Sequence, residues 1–487
     1  MFVILCTSLT IGAVLYSVLH LGLGGSIFFG TLCVVSCAVM FRTIRGALFG
    51  MIVGATLVLG SLAVWIHEAP IPPELFGTRA FEATVLSVDR RLESTNLVIL
   101  DDSFERRLQI TTKEQARVLP GDRVSVRVLI QEPQDFTTTT GRVFGYRQYL
   151  ASKGIVGVGR NAVVALINKG NMSLSRVATQ IRFAIADVFG RYVAFPIDGV
   201  LAGMVVGYQG GIPQYIQDLF RTTGVLHVLV LSGYNITLLA GFLALLLRGV
   251  SFRIRTAVTI GAIALLVLVS GAGIASVRAG IMGSIAFSAG LLVRTYQPIR
   301  ALCIAYVLFF FLSPGTLFAD PGFHLSFLAT LFMIAVVPRI EQFFAFIPQT
   351  NHIDIRELTI LAIGVPIFML PYTMYFSGLF PVASPLANVV LAIVTPLVMV
   401  LGVVLVVVSW IPLLATVVGV CVSFLGNAVI WILLHLNNLP QWNTPPLSGW
   451  GISLFYTLIL VVIFRGEIML WLVHARNSFQ RRTNLRS

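Results

Sequence analysis

The chain has 487 residues, of which 57% are hydrophobic and only 11% charged, and its mean hydropathy is +0.92. That balance excludes a soluble globular domain, in which charged residues make up roughly a quarter, and reads as a polytopic α-helical membrane protein. The formal net charge of +13 rests on 33 basic residues, all arginine except Lys113, Lys153 and Lys169; such a surface suits planar, bidentate recognition of phosphate, and a biased genome composition yields the same excess.

Three apolar stretches open the sequence, Phe2 to Leu23, Ser26 to Phe41 and Ala47 to Ile66. The first is too long for a signal-peptide core and lacks a basic flank, so it reads as a retained helix. Arg42 and Arg45 lie in the short loop after the second stretch, which predicts a cytoplasmic amino terminus and places the residues after Trp65 outside. Residues 1–67 are thus expected to form a three-helix membrane segment.

Residues 70–170 differ in kind, because their apolar residues alternate. Arg79 to Arg90, Asn96 to Asp101, Glu105 to Thr111, Arg123 to Gln131 and Ile155 to Ile167 read as strands, with a turn at Pro120 to Asp122 and a short helix at Phe144 to Ser152. Five strands and one helix fit a small extracytoplasmic β-barrel of the OB type or another small barrel. Residues 171–223 form a connector; Arg176, Arg182 and Arg191 among apolar neighbours suggest an amphipathic helix on the outer membrane face, and Val200 to Tyr208 is too short to cross.

Residues 224–465 carry further spanning helices, predicted near Val225 to Leu247, Ala257 to Ala272, Val277 to Val293, Ala301 to Leu312, Gly322 to Val337, Leu358 to Phe376, Pro385 to Trp410, Leu413 to Leu436 and Ser448 to Phe464. If the first enters from outside, the basic clusters at Arg248/Arg253/Arg255, Arg294/Arg300, Arg339/Arg356 and the tail 466–487 all fall in the cytoplasm. The count is about twelve helices, with both termini inside a cytoplasmic membrane.

Polar residues interrupt this second set at membrane depth. The stretch GVLHVLVLSGYNITLLAG places His227, Ser232, Tyr234 and Asn235 in an apolar run, and SVRAG, DPGFHLSF and SPLANVV add Arg278, Asp320, His324, Ser326 and Asn388. Broken helices are tolerated in a bilayer where freed backbone lines a cavity or pathway. Ser232-Gly233 reads as a helix break and lacks the G-x-S-x-G context of a nucleophile. Arg278 either snorkels to the interface or requires a partner or an anionic cargo, and Asp320 is available as that partner.

The five cysteines all fall in apolar stretches, the seven histidines are never within four residues of one another, and no lysine closes a G-x-x-x-x-G-K. No metal, cofactor or catalytic residue is expected, and any transport must draw on a gradient, a partner ATPase or traction on the cargo.

The motifs FRTTGVLHVLVLSGYNI, SVRAG, DPGFHLSF and SPLANVV, preceded by FGYRQYLASKGI, resemble in order and register those of the ComEC family of DNA-uptake channels of natural competence. The resemblance implies passage of single-stranded DNA across the cytoplasmic membrane. His227, Ser232, Tyr234, Asn235, Arg278, Asp320, His324, Ser326 and Asn388 would line the path. On the barrel, Arg90, Arg91, Arg106, Arg107, Arg123, Arg127 and Arg147 would hold phosphates, and Tyr146 and Tyr149 would stack bases. It also implies DNA-receptor, helicase or ATPase, and nuclease partners, and is compatible with a homo-oligomer. Two departures stand out: Tyr234-Asn235 replaces the family's Leu-His, and the motifs of the carboxy-terminal metallo-β-lactamase-like domain of many members are absent from the sequence, so strand degradation is expected from another protein. The alternatives are a transporter of a small anionic or lipid-linked substrate and a membrane scaffold that binds partner proteins.

Overall fold

The computed structural model describes residues 73–113, 117–138, 141–313, 315–347, 355–443, 455–456 and 458–459. The expected three-helix segment 1–67, most of the helix expected near Ser448 to Phe464 and the tail 466–487 lie outside the described residues.

Strict alternation builds the first domain. β4 (Arg123–Gln131) turns Val124, Val126, Val128 and Ile130 inward and Arg123, Ser125 and Arg127 outward, so one face buries and the other solvates. β1 (Gly77–Arg90), β2 (Thr95–Asp101) and β3 (Arg106–Thr112) add Val85, Leu97, Ile99, Leu108 and Ile110 to the same core. Each such side chain contributes about 1.5–3 kcal/mol on burial. A two-stranded hairpin of β5 (Phe136–Thr137) and β6 (Val143–Phe144), then helix α1 (Tyr146–Ser152), lead into β7 (Ile155–Asn168). β7 pairs in parallel with β3 and antiparallel with β4, closing the sheet in the order β1-β2-β3-β7-β4. Closure brings β7 hard against its neighbours at Gly159, where a Cβ would lie 2.6 Å from Val128; a larger residue would force the two strands apart.

The helical part begins at Leu174. α2 (Leu174–Tyr192) is amphipathic, with Arg176, Ala178, Phe183 and Phe189 buried. α3 (Ile197–Val206) is apolar apart from Asp198 in its first turn and is buried along almost its whole length, as a helix without a polar face must be. The stretch expected to act as an interfacial connector therefore contains a core helix. α4 (Gln214–Thr222) precedes a single 3-10 turn at Leu226–Leu229, and α5 (Gly233–Leu246) begins only after it. The span predicted from Val225 to Leu247 is thus interrupted at the Ser232-Gly233 break.

α6 (Phe252–Val269), α7 (Ile274–Leu291), α8 (Pro298–Leu312) and α9 (Pro321–Leu331) come next, α9 running on through a π segment at Phe332–Val336. α10 (Ile355–Ser377), α11 (Ser384–Val408) and α12 (Pro412–Leu436) complete the set, and a short pair β8 (Leu379–Pro381) and β9 (Gln441–Asn443) links the ends of α10 and α12. Among the described residues five helices are long and apolar enough to cross a membrane, Phe252–Val269, Ile274–Leu291, Pro321–Phe344, Ser384–Val408 and Pro412–Leu436. Their outer faces carry exposed Ile254, Leu265, Leu397, Val420 and Phe424, side chains that lipid tails accept at no cost.

Candidate functional site

The break before α5 is built by its own sequence. The Ser232 hydroxyl caps the helix, accepting from the Asn235 amide at 3.3 Å and donating to Asn235 Oδ1 at 3.0 Å. Asn235 is buried, and its Nδ2 donates to the Met204 carbonyl at 3.2 Å, fastening the start of α5 to the end of α3. Neither group is left for a cargo. His227 and Tyr234 remain exposed on either side of the cap.

Gly233 opens α5 against α7. A Cβ there would lie 2.7 Å from Arg278 Nη2 and 3.3 Å from the Ala279 Cβ, so only glycine admits the guanidinium. Arg278 is 8% exposed, and its Nη1 donates to the Ser326 carbonyl at 2.7 Å. Among the described residues its Nε has no hydrogen-bond partner, nor has the buried Ser326 hydroxyl. The ion pair expected between Arg278 and Asp320 does not form. Asp320 is the N-cap of α9, its Oδ1 accepting from the Gly322 amide at 2.8 Å and the Phe323 amide at 3.4 Å. Proline at the next position fixes the first turn, so the Asp320 carboxylate is drawn to the helix's own amides. The guanidinium ends instead on a carbonyl of α9, buried among the helices.

α9 also carries the predicted His324. His324 Nδ1 lies 2.7 Å from the Tyr372 hydroxyl of α10, with the rings edge to face. Asn388 turns back onto its own helix start, Nδ2 donating to the Ser384 carbonyl at 2.7 Å, while the Ser384 hydroxyl donates to the Gly224 carbonyl at 3.4 Å. The structure thus brings Gly233, Arg278 and Ser326 together through α5, α7 and α9, turns His324 to Tyr372 of α10, and keeps Asn388 on α11. Tyr372 was missed from sequence; a tyrosine inside the apolar LPYTMYF run was its one signal.

The barrel is strapped to this helix set on two sides. On one, the Asp122 carboxylate takes hydrogen bonds from Arg176 Nη1 at 2.5 Å and from the Gly170 and Leu119 amides at 2.8 Å each. Burial pushes the Asp122 carboxyl up, and those three donors outweigh it, holding it below the usual carboxylate range. Arg90 lies over the Phe183 ring at 4.1 Å, Phe183 meets Tyr208 edge to face, and Arg182 Nε donates to the Val269 carbonyl at the end of α6. On the other side, Arg142 Nη1 donates to the Tyr375 carbonyl at 2.5 Å and the Ser313 hydroxyl to the Ser152 carbonyl at 2.8 Å.

The predicted phosphate-binding arginines are therefore unequal. Arg90 belongs to the docking seam. Arg91 pairs with Asp89 at 3.4 Å, Arg123 with Asp102 at 3.0 Å and Glu82 at 3.3 Å, and Arg147 with Glu132 at 2.7 Å. Arg106 opens β3, and Arg107 reaches the Lys153 carbonyl at 3.5 Å. Arg127 is exposed and has no ion pair among the described residues. Tyr146 and Tyr149 stack at 6.4 Å in a cluster with Phe136 and Phe144, and Lys153 Nζ sits 4.1 Å above the Tyr149 ring.

An inserted sheet domain strapped over interrupted apolar helices defines an integral membrane protein with polar groups held at depth. The chain belongs to the competence protein family, whose profile, described as "Competence protein", matches residues 204–468, more than half of its length. It is similar to ComE operon protein 3 of Bacillus subtilis (strain 168), with 23% identity over 195 residues, which is 40% of this chain and 24% of that protein. The matched part thus spans about a quarter of that relative. No solved structure matches the chain.

Proposed function

We propose that the protein conducts single-stranded DNA across the cytoplasmic membrane during competence, as a conduit and not as an enzyme. In this reading the closed sheet is an OB-type barrel on the outer face, the membrane part makes about twelve crossings, and both termini are cytoplasmic. The closing strand order, with a parallel β3–β7 pair, supports the OB-type assignment. The arginines at 248, 253, 255, 294, 300, 339 and 356 support the orientation through the bias of cytoplasmic loops.

The observation that carries the reading is the double strapping of the barrel, by Asp122–Arg176 to α2 and by Arg142–Tyr375 to α10, the helix that meets His324 of α9 through Tyr372. A strand leaving the Tyr146/Tyr149 cluster would arrive at the link between α8 and α9, since Ser152, the last residue of α1, accepts from Ser313 at the end of α8. His227, Ser232, Tyr234, Asn235 and Asn388 shape the helix breaks around this path. A receptor, a helicase or ATPase and a nuclease would supply capture, traction and removal of the second strand.

The test is the fate of labelled double-stranded DNA in cells with and without the gene, scored as nuclease-protected label in the cytoplasm. Label retained outside in the deletion and restored inside by the intact gene supports passage. Unchanged entry refutes it and favours a transporter of a smaller anion.

A further inference from the structure

We propose that Arg278 and Ser326 form a subsite for one phosphate of the passing strand, with Arg278 Nε–H and the Ser326 hydroxyl as its donors. The inference rests on the DNA-passage reading for the source of that phosphate. Arg278 is a buried cation whose one hydrogen-bond acceptor is a neutral carbonyl, and that carbonyl is shared with Thr330 Oγ1 at 3.0 Å. Among the described residues no carboxylate lies within ion-pairing distance of it, and Asp320 is committed to capping α9. A buried charge without a counter-charge costs several kcal/mol, so the site is incomplete as it stands.

Two donors are orphaned in the same contact. Arg278 Nε and Ser326 Oγ are both buried and, among the described residues, both without a partner, whereas the large majority of buried side-chain polar atoms are paired. They belong to the two residues already joined by the Nη1–carbonyl bond, so a single tetrahedral anion entering there would satisfy both. Gly233 lets α5 close over the Nη2 side of the guanidinium, where a Cβ would clash at 2.7 Å, so the Nε side beside Ser326 is the one left for an anion. A forked guanidinium edge beside a hydroxyl is the donor pattern that phosphate oxygens accept bidentately. A phosphodiester carries one negative charge, which one arginine neutralises.

The experiment uses the full chain in lipid nanodiscs, with an oligothymidylate and inorganic phosphate as probes. The salt dependence of oligonucleotide binding and the thermal stabilisation by phosphate over chloride at equal ionic strength are measured for the wild type, Arg278→Gln and Ser326→Ala. The subsite predicts that Arg278→Gln lowers the slope of log K against log salt by about 0.7, the value of one lost phosphate contact on a single strand. Ser326→Ala keeps the slope and weakens binding by up to about tenfold. Both variants lose most of the phosphate stabilisation, and Ser326→Ala decides alone if Arg278→Gln does not insert. Wild-type slope, affinity and phosphate response in both variants would overturn the proposal. Phosphate stabilisation lost in both variants with oligonucleotide binding unchanged leaves the phosphate site standing and refutes the strand as its source.

Discussion

Arg176 on α2 donates from Nη1 to Asp122 Oδ1 at 2.5 Å, and both side chains are buried at the seam between barrel and helices. Removing one partner leaves the other charge buried, so Asp122→Ala is expected to destabilise the chain by about 3–5 kcal/mol, read as a fall in the thermal midpoint of the purified protein. The same pair sets a pH dependence. Because the folded carboxyl is held below its unfolded value of about 4, its contribution is complete above that pH and is lost as pH falls through the lower folded value. Asp122→Asn should flatten the stability profile in that acid range.

Gly233→Ala tests the approach of α5 to α7. The added methyl meets Arg278 Nη2 and the Ala279 Cβ, so the guanidinium must leave its contact with Ser326. Alanine is a good helix former, so α5 itself is unaffected. Membrane insertion near wild-type levels with at least a tenfold loss of DNA uptake is the expected outcome, measured by transformation frequency.

The barrel candidates separate by salt. Arg127→Gln should weaken oligonucleotide binding with a shallower salt slope by about 0.7. Tyr149→Ala should cost about 1–3 kcal/mol with the slope unchanged, because stacking carries no charge. Fluorescence anisotropy over a salt series distinguishes the two.

Phe183→Leu removes the ring under Arg90 and the edge contact with Tyr208 while keeping an apolar side chain. A loosening of the seam by about 1 kcal/mol is expected, visible as faster amide hydrogen exchange in β1 near Arg90 with unchanged exchange in β3.

The strands were legible in the sequence within a residue or two, because a surface solvated on one face imposes a period of two. The break at Ser232-Gly233 was legible for a similar local reason, since a cap needs only neighbours. The partners at depth were not. Asp320 looked available to Arg278, yet whether a carboxylate turns to its own helix or to a distant arginine depends on the first-turn geometry that Pro321 fixes. Arg176 resembled an interfacial residue because its partner Asp122 lies across a domain boundary, and α3 looked merely short because nothing local says that helices α11 and α12 enclose it. His324–Tyr372 and Arg142–Tyr375 join residues 48 and 233 positions apart, beyond the reach of any periodicity.

The π segment Phe332–Val336 gives α9 one residue more than an unbroken helix of that length would hold. An extra residue in an α-helix would turn everything beyond it by about 100°; the wide turn absorbs it instead, so His324 and Ser326 keep their rotational phase against the packed stretch that follows. A single-residue deletion there would mend the helix's hydrogen bonding and leave Ser326 facing Arg278, because the extra residue is the one the wide turn takes up. The helix is least ideal at the place that keeps its polar residues facing as they do.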